Sequence, residues 1–256
     1  MMRGMTPPTA PRSRRERPAK PALSREAIVA AALEIARTEG VEALSMRRVA
    51  SALDTGPASL YVYVADRREL QELVFDAAIG TIEIDPIDPE RWREQLKELA
   101  RRMVRMMSED FPGMAVIAMS HIPSGENAMR GIEALLSLLK AGGASDEAAA
   151  YAGDLLSLYV TAIAYEQSLY RKLYSDPHHE QHEVERLAER FASLDAERFP
   201  TMAALGPAMT RGDGEERFEL GLDVLINGLL ATPTEGRLTR GPGAPGPHSA
   251  APGHEA

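Results

Sequence analysis

Cysteine is absent from the chain. Disulfides, thiolate zinc sites and cysteine nucleophiles are therefore excluded, and the composition is typical of a reducing compartment. The chain also lacks any run of about 18 consecutive apolar residues, the length that a membrane span needs. Its N-terminus has arginines and prolines where a secretory signal has an apolar core. Together these absences predict a cytoplasmic protein with no membrane partner.

Sequence motifs of enzymes are also missing. The chain has no paired carboxylates, no nucleophile elbow, no phosphate loop and no dinucleotide fingerprint, and its "GPGAPG" stretch precedes no helical pattern. We therefore predict no catalytic residue, no cofactor and no enzymatic activity.

One cluster of possible metal ligands keeps an alternative open. The stretch "PHHEQHE" at 177–183 places His178 and His182 four residues apart and adds Glu180 and Glu183. It does not contain the H-E-x-x-H pattern, and no third ligand is evident. The pattern therefore favours a solvated turn at the start of a helix, without a metal. A metal-dependent hydrolase that uses this cluster is the alternative function.

Charge is distributed unevenly along the chain. The net charge is −9, but residues 1–80 contain 12 basic and 10 acidic residues and the remainder contains 17 and 28. Because an acidic body repels a polyanion, nucleic acid can bind only near the N-terminal end. Residues 1–22 form a basic, proline-rich arm and residues 232–256 a tail rich in Pro, Gly and Ala. Both compositions predict disorder.

Between the arm and the tail, apolar residues recur at helical spacing, which predicts an all-α protein. Ser24 and Ser45 have the character of N-caps, and Pro57 fits the first position of a short helix over 57–63. The turn "ALDTGP" between two short helices predicts a helix-turn-helix within residues 23–80. Longer helical patterns at 90–108, 125–141, 146–173, 178–194 and 215–231 predict a larger bundle within residues 81–231. The breaks between these helices are expected at Pro112, Pro123, Pro177 and Pro207, among others.

Residues 23–80, "LSREAIVAAALEIARTEGVEALSMRRVASALDTGPASLYVYVADRRELQELVFDAAIG", resemble the DNA-binding domain of the TetR family of transcriptional repressors. Residues 90–231 are similar to the regulatory domain of that family, best at "RFELGLDVLINGLL". The resemblance implies a three-helix DNA-binding domain followed by a bundle that binds a ligand and dimerises. It also implies that Tyr61 and Tyr63 contact phosphates and that Arg67 is a further backbone contact.

The helix-turn-helix itself predicts which residues meet the bases. The second helix presents its N-terminal residues to the major groove, here Pro57, Ala58 and Ser59, with Thr55 and Gly56 just before them. Only the hydroxyls of Thr55 and Ser59 can hydrogen-bond a base edge. We therefore expect readout to depend also on Arg47 and on DNA shape. Arg14, Arg15 and Arg17 of the arm are expected to enter a minor groove, with a solubilising tail as the alternative.

Polar residues inside the apolar helices are candidates for ligand binding. They are His121, Asn127, Tyr159, Tyr165, Glu166 and Gln167. The function predicted from the sequence is a homodimeric repressor that binds an inverted-repeat operator in double-stranded DNA. A small organic effector releases it.

Overall fold

A computed structural model describes residues 22–174 and 179–234 of the chain, without the side chains of residues 179 and 180. The described part is all-α and contains no strand, which confirms the predicted fold class. Its helices are α1 (Arg25–Glu39), α2 (Met46–Ala52), α3 (Pro57–Leu60), α4 (Arg67–Ile79), α5 (Trp92–Arg105), α6 (Met114–Ser120), α7 (Glu126–Ala141), α8 (Asp146–Leu173), α9 (His179–Ala192), α10 (Pro200–Met209) and α11 (Gly214–Ala231).

The helices of the N-terminal part begin at the residues that the sequence indicates. Ser24 accepts a hydrogen bond from the Ala27 N–H at 3.2 Å, and Ser45 accepts one from the Arg48 N–H at 3.1 Å. The Asp66 carboxylate accepts from the Glu69 N–H at 2.9 Å. Each of these bonds satisfies a donor that the helix leaves without an internal partner, so each fixes the first residue of a helix.

Helices α1 to α4 form one small domain around a shared apolar core. Its fully buried members include Ile28, Leu44, Leu60, Leu70 and Val74, so every helix apart from α2 contributes at least one of them. Helix α2 adds Val49, which is also fully buried. The turn between α2 and α3 is closed by a 2.9 Å hydrogen bond from the Thr55 N–H to the Ala50 carbonyl.

Helices α5 to α11 form the larger domain. Helix α8, with 28 residues, packs against α5, α6, α7 and α11. By length and composition alone, α8 is the one described helix that could cross a membrane, a test that core helices of soluble proteins also pass. Six of its residues are buried inside the bundle. Helix α5 continues into a wider π-helical turn at Met106–Asp110.

The linker between the two domains is fastened to α5. Gln95 donates to the Pro86 carbonyl at 2.7 Å and accepts from the Asp88 N–H at 2.8 Å. Arg102 donates to the Glu83 carbonyl at 2.7 Å. Three main-chain groups of the linker are thus bound by two side chains of one helix.

The two domains also touch next to α6. The Val41 N–H donates to the Pro112 carbonyl at 3.0 Å, and the Arg37 guanidinium lies 5.4 Å from the centre of the Phe111 ring. Lys172 of α8 pairs with Glu42 at 2.6 Å. These contacts join the end of α1 and the short 3-10 turn after it to the larger domain.

Three details differ from the sequence predictions. The helix expected over 57–63 ends at Leu60, because the N–H groups of Tyr63 and Val64 both turn back to the Leu60 carbonyl. Helices α6 and α10 were not predicted. Pro207, expected to break the chain, lies inside α10, where its place in the last turn costs only one backbone hydrogen bond.

Candidate DNA interface and ligand cavity

Helix α3 displays its N-terminal residues at the surface. It buries only Leu60, while Gly56, Pro57, Ala58 and Ser59 are exposed and Thr55 is half-buried. A helix of four residues that is anchored by one leucine leaves its other side chains available. The structure therefore brings the five predicted base-reading positions together on one exposed edge.

The two tyrosines that follow α3 are also exposed. Tyr61 is 54% exposed and Tyr63 is 37% exposed, whereas Leu60 and Val64 beside them are buried. Within the described residues, neither phenol makes a hydrogen bond. Leu60 and Val64, four residues apart, anchor the turn in the core, and Tyr61, Val62 and Tyr63 between them are exposed.

The basic side chains near this edge fall into two groups. Arg48 bonds Glu39 through Nε at 3.0 Å, Arg25 pairs with Glu69, and Arg68 pairs with Glu72 at 3.1 Å. The hydrogen bond to Glu39 raises the pKa of Arg48, and the same bond lowers the pKa of Glu39. The second group, Arg47 and Arg67, is exposed and makes no ion pair within the described residues. Arg47 and Arg67 are therefore the arginines here that remain available to phosphates.

A cavity of about 430 Å³ lies between the larger domain and α4. Apolar side chains form most of its wall, among them Phe75 and Ile79 of α4 and Met103 and Met107 of the larger domain. Methionine is well suited to an irregular apolar pocket because its side chain is flexible and polarizable. Met107 lies in the π-helical turn, a distortion that often occurs at functional sites.

Four polar side chains line the same cavity: His121 from the loop after α6, and Asp154, Ser157 and Thr161 from α8. The last three are spaced by three and four residues, so they share one face of the helix. The His121 Nδ1 lies 3.0 Å from the Ile117 carbonyl, which only accepts. The Ser120 hydroxyl is a second partner of Nδ1, at 2.9 Å.

Comparisons with known proteins agree over most of the chain. Residues 28–73 match the family model described as "Bacterial regulatory proteins, tetR family", and residues 85–232 match "Tetracyclin repressor-like, C-terminal domain". The chain belongs to the TetR family. It is accordingly a DNA-binding transcriptional repressor that responds to a small ligand.

Several relatives resemble the chain over most of its length. The HTH-type transcriptional repressor DrrR1 of Streptomyces coeruleorubidus is 34% identical over 217 residues, which cover 82% of this chain and 78% of DrrR1. Apo ActR of Streptomyces coelicolor is 43% identical, covers 82% of this chain and 98% of its own, and superposes with a TM-score of 0.71. ActR in complex with actinorhodin, also 43% identical, covers 82% and 97% with a TM-score of 0.73.

Of the six ligand-binding residues predicted from the sequence, His121 alone lines the cavity. Asn127 bonds Asp76 at 3.1 Å, and Gln167 accepts from Ser108 at 3.1 Å. Tyr165 and Glu166 are exposed. Asp154, Ser157 and Thr161 were missed, and their i, i+3, i+7 spacing within α8 was the signal in the sequence.

Tyr159 is a packing residue of the TetR-type bundle. Its ring stacks on Phe218 with centroids 5.7 Å apart, and its hydroxyl donates to the Phe218 carbonyl at 3.3 Å. Burial raises the pKa of this phenol. Tyr159 therefore joins α8 to α11 and does not line the cavity.

Two groups of predicted residues lie partly or wholly outside the described residues. Arg14, Arg15 and Arg17 belong to the undescribed segment 1–21, and so their DNA contact stays a prediction. In the cluster 177–183, His178 and the side chain of Glu180 lie outside the described part of the chain, whereas Glu183 pairs with Arg186 at 2.6 Å. The described residues contain no group of three or more possible metal ligands. Neither the structure nor the TetR-family relatives support the alternative metal-dependent hydrolase.

Proposed function

We propose that the protein is a homodimer that represses transcription from an inverted-repeat operator and leaves it when an extended, mainly apolar organic molecule fills the cavity. The observation that carries this proposal is the position of α4. This helix belongs to the DNA-binding domain, yet its residues Phe75 and Ile79 line the cavity. A ligand seated there touches the DNA-binding domain directly.

The effector class follows from the cavity. A volume of about 430 Å³ is in the range of drug-sized ligand sites, and the wall is mostly apolar. The polar groups of the effector would meet His121, Asp154, Ser157 and Thr161. ActR, which is 43% identical to this chain, binds actinorhodin, and we therefore propose actinorhodin as the first effector to test.

Two exposed apolar faces support a homodimer. On α11, Leu220 and Val224 are 65% and 62% exposed, and on α8 the exposed residues include Leu158 and Tyr165. Such faces are larger than scattered single residues and commonly mark an interface. A two-fold pairing of α8 and α11 would cover them and would place two α3 helices on one side of the dimer.

On the operator, each α3 would occupy one of two successive major grooves, about 34 Å apart. Ser59 and Thr55 would read base edges, and Tyr61, Tyr63 and Arg67 would hold the phosphates. We include Arg14, Arg15 and Arg17 of the arm as minor-groove contacts. Because the two grooves have a fixed separation, a shift of α4 in each subunit would prevent simultaneous binding of both half-sites.

The proposal is tested by selecting binding sites from a random-sequence DNA library and titrating the best duplex by fluorescence anisotropy. We expect an inverted repeat to be enriched and actinorhodin to release the protein from it. Enrichment of direct repeats would refute the two-fold arrangement. Undiminished binding at saturating actinorhodin would refute that effector while leaving the operator result intact.

A further inference from the structure

Helix α7 begins without a cap of its own. Its N-cap residue is Gly125, which has no side chain to accept a hydrogen bond. By contrast, α8 begins with Ser145, whose hydroxyl accepts from the Ala148 N–H at 3.1 Å. The first-turn N–H groups of α7 need an acceptor from elsewhere, and the Ala128 N–H needs it most because Ala128 is buried.

The missing acceptor comes from the DNA-binding domain. Oδ1 of Asp76 in α4 accepts from the Ala128 N–H at 2.9 Å, and Oδ2 accepts from the Asn127 side-chain amide at 3.1 Å. Ala128 is the third residue of α7, the position that a helix's own N-cap side chain bonds. The negative charge of Asp76 is also favourable at the positive end of the α7 dipole. Asp76 therefore caps α7 across the domain boundary.

Two glycines make room for this cap. A Cβ on Gly125 would overlap the Asp76 carboxylate, and a Cβ on Gly80 would lie 2.8 Å from the Asn127 amide nitrogen. Neither glycine has a positive φ, so backbone conformation does not require it. The close approach of α4 and α7 gives the physical reason for glycine at both positions.

The cap lies beside the ligand cavity. On α4, Asp76 follows Phe75 and precedes Ile79 by one turn, and both of these residues line the cavity. On α7, the capped residue Ala128 lines it too, as do Gly131 and Ile132. The cap thus joins two walls of the cavity, one from each domain.

We propose that Asp76 is the positioning residue that transmits occupancy of the cavity to the DNA-binding domain. The inference rests on the proposed function of the cavity. A ligand that displaces one of the two walls must either move α4 together with α7 or break the cap. In both cases the free energy of the cap becomes part of the coupling between effector and operator.

The first test measures coupling, defined as the actinorhodin dissociation constant with operator bound divided by that without operator. In Asp76→Ala we expect this ratio to fall by about fivefold or more, the equivalent of the ~1 kcal/mol that an N-cap typically contributes. The matched control is Ser145→Ala, which removes a cap of α8 distant from α4 and should leave the ratio unchanged. If Asp76→Ala is less stable but keeps the wild-type ratio, the role of Asp76 is only structural and the inference is wrong.

A second test needs no effector. The chain has one tryptophan, Trp92 in the larger domain, and no cysteine, so Ser51→Cys accepts a single fluorescent acceptor in the DNA-binding domain. Energy transfer from Trp92 then reports the distance between the label and the larger domain, including that of the partner in a dimer. We expect Asp76→Ala to broaden the distance distribution and Ser145→Ala to leave it unchanged. An unaltered distribution in Asp76→Ala would overturn the inference even if actinorhodin were not an effector.

Two further variants keep the inference testable if Asp76→Ala does not fold. Asn127→Ala keeps the bond to the Ala128 N–H and removes the second bond, so its effects should be intermediate. Gly125→Ala should displace the carboxylate and reproduce Asp76→Ala. Wild-type coupling in both folded variants would also contradict the role of Asp76.

Discussion

Replacement of both Leu220 and Val224 with glutamate should convert the proposed dimer into monomers. These α11 residues are 65% and 62% exposed, while Phe218, Leu222 and Ile226 of the same helix are buried in the bundle. The exposed pair thus lies on the face turned away from the subunit's own core. The substitutions should leave the fold of each subunit intact, because both positions already face water in the single chain.

The size of the effect follows from the area that dimerisation removes from water. Full burial of a Leu or Val side chain stabilises by about 1.5 to 3 kcal/mol. With nearly two-thirds of each side chain still exposed, each contributes about 1 to 2 kcal/mol on dimerisation. A two-fold axis uses each residue twice, which gives about 4 to 8 kcal/mol, or roughly a 10³- to 10⁶-fold weaker dimer. Burial of four carboxylates adds to this loss.

Sedimentation velocity over a range of protein concentrations measures the effect. The matched control is Val62→Glu, because Val62 is an apolar residue 79% exposed in the DNA-binding domain, away from α8 and α11. We expect the control to sediment as wild type and the double variant as a monomer with unchanged helical circular dichroism. A double variant that remains dimeric at wild-type concentrations would place the interface elsewhere.

Three further outcomes are expected. Tyr61→Phe should weaken binding to all duplexes by a similar factor of about fivefold, because it removes one hydrogen bond to a phosphate. Ser59→Ala should instead relax the sequence preference at one or two base pairs. Competition with mutated operators distinguishes the two outcomes. Gly131→Leu should place a side chain in the cavity and weaken actinorhodin binding at least about tenfold in calorimetry. The hydrogen bond from Arg101 lowers the pKa of Glu219 in the folded protein. The ionised Glu219 therefore stabilises the fold above its unfolded pKa of about 4.5, and this stabilisation is lost as the pH falls further. In urea unfolding, Glu219→Gln should therefore be less stable than wild type at pH 7, and the difference should shrink below about pH 4.5; a difference independent of pH would contradict this assignment.

The sequence predicted the elements whose signals are local. Helix α8 occupies the predicted range 146–173, because its capping serine and its apolar period lie within one segment. The exposure of the edge at Thr55 to Ser59 could also be expected, since these are consecutive residues of a recognisable turn, and their contact with DNA stays a prediction. Helix α6 was missed because its seven residues lie between Pro112 and Pro123, and a short segment between two prolines is typical of a loop.

The cavity could not be read from the sequence in the same way. Its wall combines residues of α4, α5, α6, α7, α8 and α11, brought together only by tertiary packing. Tyr159 was a reasonable candidate as a polar residue in an apolar helix, but its hydroxyl bonds the Phe218 carbonyl across to α11. The sequence of α8 alone specifies neither the hydrogen-bond partner of Tyr159 nor the direction in which its side chain points.

The fastening of the linker to α5 has a consequence for domain exchange between related regulators. Gln95 and Arg102 bind main-chain atoms of Glu83, Pro86 and Asp88, and these bonds do not depend on which side chains the linker carries. Arg102 also pairs with the Asp85 carboxylate of the linker at 3.1 Å, a contact that a linker without this acid loses. A hybrid protein joined within residues 81–88 should retain the attachment whenever the recipient supplies Gln95 and Arg102. Release of the hybrid from DNA by an effector would then depend on whether the side chains that meet between the two domains come from compatible parents. Such hybrids offer a route to new pairings of operator and effector.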